Sequence, residues 1–78
     1  MNILIENDEK LEYLTGTGAW TKNPRTGRRF ATREAALKAA KAEPIDRFNI
    51  VWHILALNQF VNLDHGRGKG VAEVVLAV

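Results

Sequence analysis

The stretch WTKNPRTGRRFATREAALKAAKA, residues 20–42, decides the fold, because it encodes a strand end, a turn, a short basic strand and a helix in succession. Its turn is NPRTG, residues 23–27. The fixed φ of Pro24 suits the second position of a β-turn, and Gly27 tolerates the backbone conformations that close one. The stretch therefore predicts a turn between two extended segments.

After the turn, the sequence predicts a short extended segment and then a helix. In residues 28–31, Phe30 is expected to point inward while the two arginines before it keep their charged ends in solvent. Thr32 has the hydroxyl of a helix N-cap, and the residues after it, REAALKAAKA, are strong helix formers. Because Pro44 disfavours the α conformation in the residue before it, the helix is predicted to span residues 33–42.

This helix has a narrow apolar face, which suits close packing against a sheet. The face consists of Ala36, Leu37 and Ala40. The cationic side chains of the helix are expected in solvent, and these are Arg33, Lys38 and Lys41.

The N-terminal part of the chain predicts three short strands. Residues 1–5 are apolar and fit an edge strand, and the polar residues after them predict a turn. Strands at 11–15 and 19–22 are expected to form a hairpin through the flexible Gly-Thr-Gly between them. In that hairpin, Tyr13 and Trp20 are predicted to be neighbours across the two strands.

Residues 48–57, FNIVWHILAL, are the most hydrophobic run, and their secondary structure has two interpretations. As a strand they alternate, with Trp52 on one face and His53 on the other. As a helix beginning at Pro44, their apolar residues are spread around the whole circumference. The strand is favoured, as the central strand of a sheet whose Trp52 face is covered by the helix of residues 33–42.

The last part of the chain completes the predicted sheet. Residues 58–64 offer Phe60, Val61 and Leu63 to the core, and the glycine-rich residues 66–70 predict a hairpin loop. Residues 71–78 predict a final strand with two apolar faces, which lies inside the sheet or has its exposed face covered in a homodimer. The chain is thus expected to be one domain, residues 1–78. Its predicted fold is α+β, with a small antiparallel sheet of four to five strands and one helix packed on one face.

Composition restricts the classes of function. The chain has 78 residues, no cysteine and 46% hydrophobic residues, which predicts a small globular protein without disulfides or thiolate chemistry. No run approaches the roughly 18 apolar residues of a membrane span, and the first residues lack the form of a signal peptide. A cytoplasmic protein that does not contact a membrane is expected.

Charge is distributed unevenly along the chain. Residues 22–41 contain seven cations and one acid, whereas residues 1–21 contain four acids and one cation, within a net charge of +2. Such a basic segment attracts phosphate or an acidic protein surface, or is simply a solvated face. Arginine suits bidentate contacts with phosphate and carboxylate groups. The candidate contact residues for a protein or nucleic-acid partner are Lys22, Arg25, Arg28, Arg29 and Arg33.

The remaining motifs do not have the pattern of a catalytic or metal site. GRGKG, at residues 66–70, lacks the spacing and the hydroxyl residue of a phosphate-binding loop. His53 and His65 have neither cysteines nor metal-ligand spacing around them, and His53 fits a packed residue of a strand better than a ligand. Trp20 fits the core or, alternatively, a base-stacking role. We therefore expect a non-enzymatic protein with no metal and no cofactor.

The pattern WTKNPRTGRRFATREAALKAA, residues 20–40, resembles a segment of small proteins from phages and mobile elements. In these proteins a Trp-bearing strand, a turn and a helix start of the form R-F-x-T/S-x-E-A-A recur. They include the anti-CRISPR inhibitors, compact non-enzymatic domains that bind a CRISPR effector complex and block target-DNA binding or nuclease recruitment. The resemblance implies a protein or nucleoprotein partner in the host cell.

A basic strand placed directly before a helix that opens with Thr-x-x-x-Ala is also similar to the arm-type DNA-binding domain of phage integrases. That resemblance implies direct nucleic-acid binding by a three-stranded sheet in the major groove. The chain departs from it in the acidic N-terminal third, in two further apolar segments after the helix, and in a net charge of only +2, which is low for binding through phosphate contacts. The leading hypothesis is therefore an inhibitor that acts through a basic surface, and direct nucleic-acid binding is the alternative.

Overall fold

A computed structural model describes residues 2–68 of the chain. The strands are β1 (Ile3–Asn7), β2 (Glu12–Leu14), β3 (Trp20–Thr21), β4 (Arg47–Ile54) and β5 (Gln59–Arg67), and the helix is α1 (Arg33–Lys41). The strands form one antiparallel sheet in the order β3-β2-β1-β4-β5. Helix α1 packs on one face, so the predicted α+β class is confirmed. The final strand predicted for residues 71–78 lies outside the described residues.

Helix α1 forms where it was predicted, because its determinants are local. The hydroxyl of Thr32 accepts a hydrogen bond from the N–H of Ala35 at 3.1 Å, as an N-cap does. The helix ends at Lys41, with Ala42 as its C-cap. Ala36 and Ala40 are fully buried, which allows the helix backbone to approach the sheet closely.

The main core lies between α1 and the sheet. Phe30 joins it, as predicted, and its N–H donates to the carbonyl of Ile3 at 2.8 Å. Burial of each phenylalanine or isoleucine side chain contributes about 2 kcal/mol to folding. The large buried side chains of this core are Ile3, Ile5, Leu14, Phe30, Ile45, Phe48 and Ile50.

The prediction of an edge strand for residues 1–5 is wrong, because β1 is the central strand. It pairs with β2 on one side and with β4 on the other. Ile3 and Ile5 are buried in the core under α1, and Leu4 is buried on the opposite face. Side chains buried on both faces are what a central strand requires, and the short apolar run did not reveal its pairing partners.

The strand interpretation of residues 48–57 is confirmed for most of the run, as β4, although β4 lies beside the central strand. Phe48 and Ile50 are fully buried on the Trp52 face, as predicted, whereas Trp52 itself is half-buried. The strand ends at Ile54, and a turn over residues 55–58 leads into β5.

Strand β5 is the element that the sequence analysis missed. Phe60 and Val61, which were expected in the core, are 41% and 40% exposed. Leu63 packs against the core as predicted. It has no partner on β4, because the ladder shifts register between Ile50 and Val51.

The predicted hairpin loop of residues 66–70 is wrong in its first part. Gly66 and Arg67 belong to β5. A Cβ on Gly66 would lie 2.9 Å from the ring of Phe48, so glycine is required here by the close approach of the ring. Gly68 follows the strand, and the last two residues of the predicted loop lie outside the described residues.

The predicted pairing of Tyr13 with Trp20 is also wrong, because the two rings lie on opposite faces of the sheet. Trp20 is paired with Leu14 and packs against the core under α1. Tyr13 is buried on the other face, in a small cluster with Leu4 and Val51. Adjacent positions on a strand point to opposite faces, so a shift of one residue in the pairing separates the rings.

Two stacked pairs of rings share Phe60 on the face opposite α1. The ring centroids of Tyr13 and Phe60 are 5.8 Å apart, and those of Phe60 and His53 are 4.5 Å apart. The planes within the two pairs differ by 16° and 5°. Phe60 therefore stacks with both Tyr13 and His53.

Candidate basic interface

The loop that joins β3 to α1 holds four of the five candidate residues, and it is fixed by its own hydrogen bonds. The predicted turn is confirmed as a 3₁₀ turn, Pro24–Thr26. The side chain of Asn23 accepts from the N–H of Arg25 at 3.0 Å. The hydroxyl of Thr26 lies 3.0 Å from the carbonyl oxygen of Asn23 and 3.2 Å from the hydroxyl of Thr21.

The end of this loop is attached to the sheet. The N–H of Arg28 donates to the carbonyl of Leu14 at 2.7 Å, and the N–H of Phe30 donates to that of Ile3 at 2.8 Å. A Cβ on Gly27 would lie only 3.3 Å from the side chain of Tyr13, so the backbone of the loop packs closely against that side chain. A loop already held in one conformation loses less entropy when it binds a partner.

Four exposed cations on this loop, Lys22, Arg25, Arg28 and Arg29, are called the basic loop here. None of them forms an ion pair within residues 2–68, where the ion-paired cations are Arg33 and Arg47. The guanidinium of Arg29 lies 3.5 Å from the carbonyl oxygen of Arg25, so these two residues are neighbours.

Arg28 is partly positioned by an aromatic ring. Its guanidinium carbon lies 4.6 Å from the centroid of Phe30. A cation–π contact of this kind contributes about 0.5–1 kcal/mol at an exposed site. The ring thus restrains Arg28 while the side chain remains exposed to solvent.

Arg33 differs from the basic loop, because it is ion-paired. Its guanidinium lies 3.3 Å from a carboxylate oxygen of Glu34 and 3.7 Å from one of Asp64. A hydrogen bond from its own backbone N–H and one from Arg33 lower the pKa of Glu34. The contact with Asp64 links the start of α1 to β5. Because two carboxylates already neutralise part of its charge, Arg33 attracts an anionic partner less strongly than the cations of the basic loop do.

Acidic residues gather beside the turn between β1 and β2. The loop is bonded to Leu14 of β2 through Arg28 and to Ile3 of β1 through Phe30, whereas this turn follows Asn7. An open groove of about 500 Å³ lies beside that turn. Its charged lining residues are Glu9, Lys10, Glu12 and Asp46.

The surroundings of Trp20 disfavour a base-stacking role. One part of its side chain packs against the core under α1. Trp20 also lines the groove beside Glu9 and Glu12, whose carboxylates repel phosphate. The core interpretation of Trp20 is therefore favoured by its surroundings.

The sequence analysis missed a polar network on the face opposite α1. The side-chain amide of Asn49 donates to Glu6 at 3.1 Å and to Asp8 at 2.9 Å, and Arg47 lies 3.7 Å from Asp8. Burial and the neighbouring Glu6 carboxylate raise the pKa of Tyr13 to about 12. Because Asn49 is 41 residues from Asp8 in the chain, no local motif could indicate this network.

His53, another candidate from the sequence, is packed inside the protein. His53 is 2% exposed, and its Nε2 lies 3.0 Å from the side-chain oxygen of Asn58, which confirms the interpretation of a packed residue. In the described part of the chain, no three His, Cys, Asp or Glu residues are arranged to hold a metal ion. Within residues 2–68, no helix has the length and apolar character needed to cross a membrane.

No family model, curated protein or solved structure matches the chain.

Proposed function

We propose that the protein is a small non-enzymatic binding protein of phage type, which inhibits a host nucleoprotein complex of the CRISPR effector kind in the host cytoplasm. The basic loop is the observation that supports this proposal. It presents three arginines and one lysine to solvent, without an ion-pair partner in the described residues. Its backbone is held by hydrogen bonds within the turn and to the sheet.

The chemistry of the loop fits an anionic surface. A guanidinium group can make two parallel hydrogen bonds to a phosphate or a carboxylate, and a nucleoprotein complex offers both groups. The acidic groove beside the turn between β1 and β2 disfavours contact of that surface with phosphate. Complementary charge of this kind speeds association and selects one orientation on the partner.

Charge also favours a nucleoprotein over a long duplex as the partner. If all four cations of the basic loop contact B-DNA phosphates, a plot of log binding constant against log salt concentration has a slope of about −3.6. Four contacts and a net charge of +2 supply little non-specific affinity at physiological salt. A partner that adds protein contacts to the phosphate contacts compensates for this.

Direct nucleic-acid binding is the second candidate, and the same exposed cations of the basic loop support it. The two candidates differ in one requirement. An inhibitor acts on the assembled effector, whereas a nucleic-acid-binding protein retains its affinity for isolated DNA or RNA.

The experiment measures target-DNA binding and cleavage by a panel of purified, guide-loaded CRISPR effectors, both single-chain and multisubunit. Wild type is compared with Arg25→Gln/Arg29→Gln, which removes two charges from the basic loop. Lys38→Gln/Lys41→Gln removes the same charge from exposed positions of α1 and is the matched control. Wild type and control are expected to inhibit at least one effector, and the loop variant is expected to need at least about tenfold more protein, or 1.4 kcal/mol.

Three outcomes contradict these proposals or their basis in the basic loop. If wild type neither binds nor inhibits any effector of the panel, the inhibitor proposal is wrong. The same proteins are then titrated with labelled duplex and single strands at two salt concentrations. Absence of binding at low salt would exclude the second candidate. Equal losses in the loop variant and the α1 control would show that position on the basic loop does not matter.

A further inference from the structure

The function proposed for the basic loop does not use the groove beside the turn between β1 and β2. This groove has a volume of about 500 Å³, which lies within the usual range of ligand sites. Its apolar lining consists of Trp20, Pro44 and Ile45. Trp20 is half-buried and Pro44 is exposed, so a ligand in the groove can reach apolar groups.

Hydrogen bonds hold one wall of the groove in place. The side chain of Asn7 accepts from the N–H of Glu9 at 3.0 Å and from the N–H of Lys10 at 3.3 Å. The N–H of Asp8 donates to the carbonyl of Arg47 at 3.2 Å, which joins this turn to the start of β4. A wall that is already ordered loses little entropy when a ligand binds.

The charge of the groove favours a cation. Three carboxylates line it, those of Glu9, Glu12 and Asp46, together with the ammonium group of one lysine, Lys10. Within residues 2–68, none of these three carboxylates is part of an ion pair. Their charge is therefore free to attract a cationic ligand and to repel phosphate.

The combination of an aromatic ring with carboxylates selects among cations. A guanidinium group is planar, so it can stack on the ring of Trp20 and donate pairs of hydrogen bonds to a carboxylate. The aliphatic stem of the same side chain suits contact with Pro44 and Ile45. We propose that the groove is a docking site for an arginine side chain of a protein partner. This site does not depend on the function proposed for the basic loop.

The test is an NMR titration of the full chain at low salt, with the peptides Gly-Arg-Gly-Arg-Gly and Gly-Gln-Gly-Gln-Gly, both with blocked termini. The indole N–H of Trp20 reports on the groove. The indole N–H of Trp52, on β4, is the reference within the same molecule, and Trp52→Phe assigns the two signals. The arginine peptide is expected to shift the Trp20 signal to saturation and to leave the Trp52 signal in place. The glutamine peptide should shift neither.

Charge variants locate the contact. Glu9→Gln/Glu12→Gln removes two carboxylates of the groove and is expected to raise the Kd of the arginine peptide at least about threefold, a modest change because exposed charge pairs are individually weak. Glu34→Gln/Glu43→Gln removes the same charge from residues that do not line the groove. This control is expected to keep the Kd within about twofold of wild type.

Four results would overturn the proposal. The first is the absence of a saturable shift of Trp20 with the arginine peptide, which wild type alone decides even if a variant does not fold. The second is an equal shift with the glutamine peptide, and the third is an equal loss in the groove variant and its control. The fourth is self-association of wild type in light scattering at low salt that Arg25→Gln/Arg29→Gln abolishes, because the occupant is then the basic loop of a second copy.

Discussion

Leu11 is the residue whose side chain suits its backbone conformation least. Its φ of +54° lies in the left-handed region, and its side chain is 61% exposed. The N–H of Leu11 donates to the carbonyl of Asn7 at 2.8 Å, which closes the turn between β1 and β2. A residue with a Cβ loses about 1–2 kcal/mol in this conformation, and little burial offsets that loss at Leu11.

Leu11→Gly is therefore expected to be neutral or stabilising, unlike glycine at a matched position. Leu57 is equally exposed, at 63%, and is not among the positive-φ residues. Leu57→Gly is expected to lower the free energy of unfolding by about 0.5–1 kcal/mol through backbone entropy. Urea denaturation of both variants measures the difference, which should be about 1–2 kcal/mol in favour of Leu11→Gly. Equal effects at the two positions would contradict strain at Leu11.

Ionisation of Tyr13 makes the stability of the fold depend on pH in the alkaline range. Burial and the Glu6 carboxylate raise its pKa to about 12, against 10.0 for a free tyrosine. Between these values the unfolded chain loses the phenolic proton while the folded chain keeps it, so stability falls as pH rises from about 10 to about 12. Tyr13→Phe removes the ionising group and should flatten this part of the curve of unfolding free energy against pH. A phenolate absorbance midpoint near 10 in the folded protein would contradict the shift.

At the scale of elements, α1 depends on its N-cap. Thr32→Ala removes the acceptor of the Ala35 N–H and is expected to lower the free energy of unfolding by about 1 kcal/mol. Thr32→Ser keeps the hydroxyl and should lie within about 0.5 kcal/mol of wild type. The measurement is chemical denaturation followed by circular dichroism. A serine variant as unstable as the alanine variant would show that the methyl group of Thr32, and not its cap, is responsible.

The elements that could be predicted from the sequence are those with local determinants. The turn needs Asn23 and Pro24, and the start of α1 needs Thr32, so a few neighbouring residues specify each of them. The position of β1 in the sheet depends instead on β4, which follows more than 40 residues later. For the same reason, the stack of Tyr13 on Phe60 had no local signal.

The candidate site was predicted only in part, and the reason is similar. All five candidate contact residues lie in one basic segment of the sequence, and four of them lie on one ordered loop. The sequence could not indicate that Arg33 pairs with Asp64, because this contact requires α1 to pack beside β5. It also gave no sign that the Glu9 and Glu12 carboxylates line one groove with Asp46 from the segment before β4.

At the scale of the whole molecule, the arrangement of charge is more informative than its sum. The net charge is +2, yet four exposed cations are concentrated on the basic loop and three carboxylates line one groove. At physiological salt, the Debye length is about 8 Å. Lys22 follows Trp20, a lining residue of the groove, by only two residues, so the groove carboxylates offset part of the attraction of this cation for an anionic partner.

Four substitutions separate the position of charge from its sum. Arg25→Gln/Arg29→Gln lowers the net charge from +2 to 0, and Glu9→Gln/Glu12→Gln raises it to +4, so the quadruple variant keeps +2. If the basic loop is the contact surface, the quadruple variant should bind heparin at least about threefold more weakly than wild type at low salt, as the arginine variant does. The difference should vanish near 1 M salt, where the Debye length is about 3 Å. Binding by the quadruple variant equal to that of wild type would mean that net charge alone governs the attraction, and that the basic loop has no special role.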